Sequence, residues 1–569
     1  MELQPQIEST PSLRFGVMCS GTCFQHWQSE AIRELLGNGH QIILLIKDAR
    51  NTEQHGLKLK IRKHFGSRLL FHICHRYFFR PSSRRVVIMN VEIADVDSIS
   101  CQVVKKGRAE HFDPKDVELI RSYKLDFILR FGFNIIHGEI LSSARYGIWS
   151  FHHDDETRYR GGPAGFWEIY YRDPVNGAML QQLTEKLDHG IILKKGYLKT
   201  TLHSYTGNLN QLLWISSAWA AEVANEILRT GVVRTVSDGP PGPIYKLPGN
   251  GKMLLFLLRL FCNKISFYYH EFFSAEIWNV GLIKSQMEPI ALGLKKLKPS
   301  EITWLREFGR GKYLADPSGF IEDNKLHILL EDYSYRKQSA SISEVIWSPK
   351  RNSFSVPIAT IEGHKHLSYP YIVEDGKSIY CVPESCREGN VGLYKRNFSE
   401  EAFIEERVLL ENVNAVDPTL FKFGAHWWLF FTTRPYSATH LFIYYADHLL
   451  GDYRPHALNP VKMDIRSSRP AGTPFIYDGE LYRPAQDCSK TYGGRVTINK
   501  VLRLTPDEFE EIPVNVLEPV KGTRFSKGLH TLSQVGEYIL IDGKCYRFNY
   551  FHFLNQLKRK LSRSRKTDV

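Results

Sequence analysis

Over roughly the first 235 residues, apolar positions recur in two alternating rhythms. Arg14–Met18 is a short apolar run that stops at Ser20-Gly21-Thr22, as a strand does at a turn. Trp27, Ala31 and Leu35 then follow at helical spacing, and Gly37-Asn38-Gly39 closes that helix. Gln41–Ile46 (QIILLI) reads as a buried strand. Pro114–Tyr123 is helical again: Asp113 suits its cap, and Pro114 suits the first helical position, where a missing N–H costs nothing. Leu125–Arg130 (LDFILR) is the next strand. Strand–helix–strand alternation predicts a Rossmann-like parallel sheet with right-handed crossovers, its ligand site beyond the C-terminal strand ends.

From about residue 312 the helical rhythm gives way to short aromatic and β-branched runs. A degenerate repeat starts at Leu314, Leu367, Ala415, Ala471 and, most weakly, Gly528. Most copies read strand, tight turn, strand, with turns at Glu322-Asp323-Asn324, Glu374-Asp375-Gly376 and Tyr477-Asp478-Gly479. A period of roughly 50 residues is that of propeller blades, so five copies predict an all-β, five-bladed β-propeller. The breaker cluster Asp238-Gly239-Pro240-Pro241-Gly242-Pro243 marks a boundary. The expected domains are 13–237, α/β and catalytic; 238–311, a linker and helical connector; 312–552, the propeller; and 553–569, a basic tail.

Composition is that of an ordinary globular chain, with 43% hydrophobic and 24% charged residues. The net charge of +13 has its visible cluster in the tail, at Lys558, Arg559, Lys560, Arg563, Arg565 and Lys566, so no nucleic-acid partner is expected. Nine cysteines do not make a disulfide framework, and Cys19 and Cys23 lack zinc spacing, so reduced thiols and no metal are expected. The start of the chain lacks a secretory pattern, which fits a cytoplasmic protein. Met253–Phe273 is apolar but broken by Arg259, Asn263 and Lys264, so it reads as a packed helix. That segment and the basic tail are the two places where peripheral membrane contact would occur.

The densest chemistry lies in Tyr146–Leu193. His152 ends an apolar strand beside a Gly-rich turn, where an imidazole can work as acid or base. Asp188 precedes Gly190, and a carboxylate beside an imidazole fixes its tautomer. Arg158, Arg160 and Gly161 form a basic turn suited to an anionic group. Together, His152, the Arg158-Tyr159-Arg160-Gly161-Gly162-Pro163 turn and Leu187-Asp188-His189-Gly190-Ile191-Ile192 resemble the catalytic core of the folate-dependent formyltransferases. Leu125–Leu141 is similar to that family's strand and folate-side loop.

The resemblance implies the formyltransferase fold and 10-formyltetrahydrofolate as formyl donor. It implies catalysis by His152 and Asp188, and donor contacts at Gly132, Asn134, Leu187 and Gly190. Where the family has its catalytic Asn, this chain has Ser150, a different oxyanion donor, with Asn134 as a substitute should its loop fold inward. The run His153-Asp154-Asp155-Glu156 makes the expected acceptor mouth acidic.

In the repeats, Asp316, Glu384 and Asp417 fall near strand ends and are expected to meet at one mouth of the propeller channel. This half resembles five-bladed glycosidases and the propeller-like domain of glucosamine inositolphosphorylceramide transferases. The combined expectation is a one-carbon transferase that formylates an amino sugar, nucleotide- or lipid-linked, with the propeller binding the glycan. The alternative is a glycoside hydrolase or glycan-binding protein carrying a degenerate formyltransferase domain.

Overall fold

The computed structural model describes residues 11–50, 66–107, 109–185, 190–236, 239–307, 309, 311–361 and 366–566. It divides into two compact units, 1–196 with 200–264, and 197–199 with 265–569.

The first unit is built on a seven-stranded sheet. In chain order its strands are β1 (Arg14–Cys19), β2 (Gln41–Asp48), β3 (Asp97–Cys101), β4 (Phe127–Arg130), β5 (Ile148–His152), β6 (Val175–Gln182) and β7 (Ile191–Lys199). They lie in the order β7-β6-β5-β4-β1-β2-β3. β5, β4, β1, β2 and β3 are mutually parallel, and β6 runs antiparallel to β5. The expected alternation is therefore present, including α1 (His26–Gly37), which buries Trp27, Ala31, Ile32 and Leu35. α2 (Pro114–Ser122) starts where Asp113 accepts a hydrogen bond from the Lys115 N–H at 2.9 Å. Chain order reverses about β1, which leaves the crevice at the carboxyl ends of β1, β4 and β5 open to a ligand.

The Gly/Pro cluster folds back onto this unit. The Gly242 N–H donates to the Glu156 carbonyl at 2.8 Å, and Ile244–Tyr245 pairs in parallel with Arg160–Gly161.

The second unit is all-β apart from short helical turns and its terminal helices. Four antiparallel sheets follow one another along the chain, opening with Lys312–Glu322, Ser368–Asp375, Ala415–Phe423 and Phe475–Tyr477. A fifth sheet joins strands distant in sequence: Thr303–Trp304, Ala275–Lys284, Tyr538–Arg547 and Leu532–Val535. The expected helical connector is thus interrupted after its long helix ends at Phe273, because Ala275–Lys284 is a strand that pairs along its whole length with Tyr538–Arg547. That pairing also explains the weak copy at Gly528, which contributes only two of its sheet's four strands.

Ala275–Lys284 reads as a near-continuous apolar run because most of it is buried. Tyr550–Lys566, expected as a basic tail, is helical, and its Lys560 ammonium lies 3.7 Å from the Tyr268 ring centroid. No helix among the described residues is long and apolar enough to cross a membrane.

The sheet beneath the crevice depends on an aromatic stack. Trp149, fully buried in β5, lies 3.9 Å from Phe127 of β4, which stacks at 5.5 Å on Phe15 of β1. Trp149→Ala should destabilise the chain by about 3–5 kcal/mol, read as a lowered midpoint in chemical denaturation. An unchanged midpoint would contradict this packing.

Candidate functional sites

Alternation along β5 decides what each residue does. Trp149 and Phe151 face aromatic neighbours, while Ser150 and His152 face the other side of the sheet. Ser150 is 1% exposed, and its Oγ accepts a hydrogen bond from Arg130 Nη2 at 2.8 Å. Arg130 ends β4, beside β5, and its Nη1 donates to the carbonyls of Asn134 (2.8 Å) and Phe133 (3.4 Å).

His152, Arg130, Asn134 and Gly190 line one cavity of about 90 Å³, together with His137 and Gln181. Gly190 has no room for a side chain, since a Cβ would sit 2.7 Å from Gln181 and 2.8 Å from the Gln182 carbonyl. The adjacent His153 is a different kind of histidine. It is bonded to Ser216 Oγ at 3.0 Å, and burial pushes it down to about 3, so it stays neutral.

The other expected residues fall as follows. Asp188 and Leu187 lie outside the described residues. Gly132 is not a cavity residue; its N–H donates to the Met18 carbonyl at 2.8 Å, and a Cβ there would press on the Cys19 backbone at 3.0 Å. Asn134 does not turn its amide inward as a spare oxyanion donor. The amide donates to Glu110 at 2.6 Å, and Arg50 holds the same carboxylate at 2.6 and 3.1 Å. Against the pull of burial, hydrogen bonds from Arg50 and Asn134 bring Glu110 down to about 2.

The expected anion-receiving turn is engaged within its own unit. Arg158 pairs with Asp173 at 2.6 Å, and Arg160 Nε donates to the Gly242 carbonyl at 2.7 Å. Gly161 lets the chain pass against the Tyr245 carbonyl with positive φ. The acidic mouth is largely neutralised, because Lys195 pairs with Glu156 at 2.5 Å and Asp155 at 3.5 Å.

In the second unit the repeats place a residue before proline at the same structural point. Asp316, Tyr369 and Asp417 have φ of 51°, 45° and 52°, and in each strand the pairing register breaks there. Such bulges re-aim a side chain out of the strand's alternation. Asp316, Glu384 and Asp417 are brought together and buried. The Asp417 N–H reaches Glu384 Oε2 at 3.3 Å, and Arg469 grips the Asp417 carboxylate at 2.5 and 3.0 Å. Burial first, and the neighbouring Asp417 second, push Glu384 up to about 7. Burial likewise pushes Asp316 up to about 6, although His530 opposes the shift.

Glu331, which the repeat pattern did not single out, is hydrogen-bonded to Asp316 and raised well above the carboxylate range, chiefly by burial. Asp316, His530 and Asp542 also bring ligand-type atoms within 4.8 Å of one another, a donor set the cysteine spacing gave no hint of. His530 is paired with Asp542 and stacked 3.8 Å from Trp278.

Residues 306–534 match the family profile described as glucosamine inositolphosphorylceramide transferase 1, N-terminal. The chain is 29% identical over 225 residues to the glucosamine inositolphosphorylceramide transferase 1 of Oryza sativa subsp. japonica, covering 38% of this chain and 30% of that one. The Arabidopsis thaliana protein of the same name is 30% identical over 209 residues, covering 36% and 27%. The chain thus spans under a third of the length of these curated relatives. A methionyl-tRNA formyltransferase from Chlorobium chlorochromatii is 23% identical over 160 residues, covering 28% of this chain and 46% of that one. The expected likeness to glucosamine inositolphosphorylceramide transferases is borne out for residues 306–534.

Raised carboxyl groups weaken a fold as pH rises. Glu384 binds its proton more tightly folded than unfolded, so its contribution is full below the ordinary value of 4.5 and is lost as pH rises through about 7. The thermal midpoint of the full chain should fall across that window, and Glu384→Gln should flatten the fall. An unaltered slope in the variant would contradict the assignment.

Proposed function

We propose that the chain is a transferase of glycoconjugate biosynthesis. In this reading the N-terminal unit moves a formyl group from 10-formyltetrahydrofolate to the amine of an amino sugar, nucleotide- or lipid-linked. The C-terminal unit, its five sheets read as the blades of a propeller, would hold the carbohydrate. The observation that carries the reading is the cavity at the carboxyl ends of β4 and β5, which His152 lines together with Arg130, itself bonded to the buried Ser150. At about 90 Å³ it suits the reacting one-carbon group, whereas a whole drug-sized ligand needs roughly 300–1,000 Å³. The relatives' names supply the rest: one is a formyltransferase, and the others carry glucosamine, an amino sugar, in their names.

In the reaction, the amine nitrogen attacks the formyl carbon and His152 accepts its proton. The tetrahedral oxyanion collapses, the bond to the folate nitrogen breaks, and the proton passes to that nitrogen as it leaves. With 10-formyltetrahydrofolate and UDP-linked amino sugars as substrates, His152→Ala should lower kcat by about 10²–10⁴ while the melting curve stays unchanged. Equal rates in both proteins would remove His152 from the mechanism.

A second reading has one observation in its favour, the cluster of Asp316, Glu331, Glu384 and Asp417. Carboxyl groups gathered in close company, some of them holding their protons to higher pH, are what glycoside hydrolysis uses. We expect this cluster to bind sugar without cleaving it, with binding that weakens in Asp316→Asn. Turnover of an aryl glycoside that disappears in Glu384→Gln would reverse the order of the two readings.

A further inference from the structure

We propose that Arg130 is an anion anchor, holding a negatively charged oxygen of the one-carbon group in the cavity it shares with His152. The strand Phe127–Arg130 is apolar until its last residue, and that residue is a cation placed at the ligand end of a parallel strand. A guanidinium has five N–H hydrogens. Arg130 donates three hydrogen bonds, all to uncharged acceptors: the carbonyls of Phe133 and Asn134 and the hydroxyl of Ser150. Its Nε is buried without a partner, and no carboxylate among the described residues lies within ion-pair distance of it.

Among the described residues, Glu110 and Glu185 are committed elsewhere. Glu110, bridged to Arg130 only through Asn134, is held by Arg50, and Glu185 is taken by His137 Nδ1 at 3.0 Å and the Gly138 N–H at 3.0 Å. A half-buried charge whose direct partners among the described residues are all neutral favours a counter-charge, and here the open side of the group is the cavity. Burial also pulls the guanidinium below its ordinary value, as expected of a cation without a direct partner.

The site therefore differs in kind from an amide oxyanion donor, because it offers a full positive charge rather than a dipole. It follows that Ser150 acts by orienting Arg130 rather than as the principal donor. The identity of the oxygen rests on the one-carbon reading above; the demand for an anion does not.

The test uses the full chain and sodium formate at constant ionic strength, followed by calorimetry and by NMR. Saturable formate binding that weakens by about tenfold or more in Arg130→Met and returns in part in Arg130→Lys is the expected result. Equal binding in the wild type and Arg130→Met, or no formate binding at all, overturns the proposal. Should Arg130→Met fail to fold, Arg130→Gln carries the test: hydrogen-bond donors remain but the charge is gone, so formate binding falls, and undiminished binding overturns the assignment. Formate binding without formyl transfer keeps the anchor and removes the reaction. Formyl transfer that continues in Arg130→Met, with no formate binding, does the reverse.

Discussion

The hydrogen bond from Arg130 Nη2 to Ser150 Oγ, 2.8 Å long, is the constraint on which the N-terminal site depends. It ties the carboxyl ends of two neighbouring parallel strands, and the same guanidinium holds the loop at Phe133–Asn134 by its carbonyls. A single side chain thus joins the strand end and the loop residue Asn134 that line the cavity. Such a charge is expensive to bury unless polar groups surround it, and three acceptors do. Glu110 completes the arrangement from behind, with Arg50 and the Asn134 amide keeping it ionised. The stacked rings of Trp149, Phe127 and Phe15 brace the strands on which the polar groups stand.

The C-terminal unit solves a related problem with the opposite sign. Beside Asp542, the carboxyl groups of Asp316, Glu331, Glu384 and Asp417 gather in its interior, and of these four Arg469 grips only Asp417 directly. The others respond as buried acids do, by holding their protons to higher pH, with Glu384 at about 7 and Asp316 at about 6. The left-handed residues before Pro317, Pro370 and Pro418 show how the repeat produces this. Each bulge turns one side chain out of register, and the chain places Asp, Tyr and Asp at those points. Tyr369 takes a structural part, linked to Thr419 at 2.9 Å and to the Gly472 N–H at 2.8 Å.

Much of this was legible in the chain. The two periodicities separated a parallel-sheet half from an antiparallel half, and the strand end at His152 pointed to the cavity. The Asp-Pro and Pro-Glu repeats pointed to Asp316, Glu384 and Asp417. Arg130 was missed because its strand was read for hydrophobicity alone; the signal was a cation closing the apolar run Phe127–Leu129. Glu331 was missed because it comes from the second strand of its sheet, where register rather than motif brings Glu331 opposite Ala315. The turn Arg158–Gly161 misled because a basic, Gly-rich loop looks the same in sequence whether it meets a ligand or, as here, Asp173 and the chain near Gly242. Ala275–Lys284 misled for another reason, since its pairing partner lies some 260 residues further on, at Tyr538–Arg547.

The central claim is that the N-terminal cavity delivers a formyl carbon to an amine. The most direct measurement follows that carbon. The full chain is incubated with 10-formyltetrahydrofolate labelled isotopically in the formyl group, together with glucosamine-containing acceptors. The products are then read by NMR and mass spectrometry. The account predicts label in a new formamide on the sugar nitrogen. Recovery of all the label as unreacted donor or free formate, with an unmodified acceptor, would contradict it.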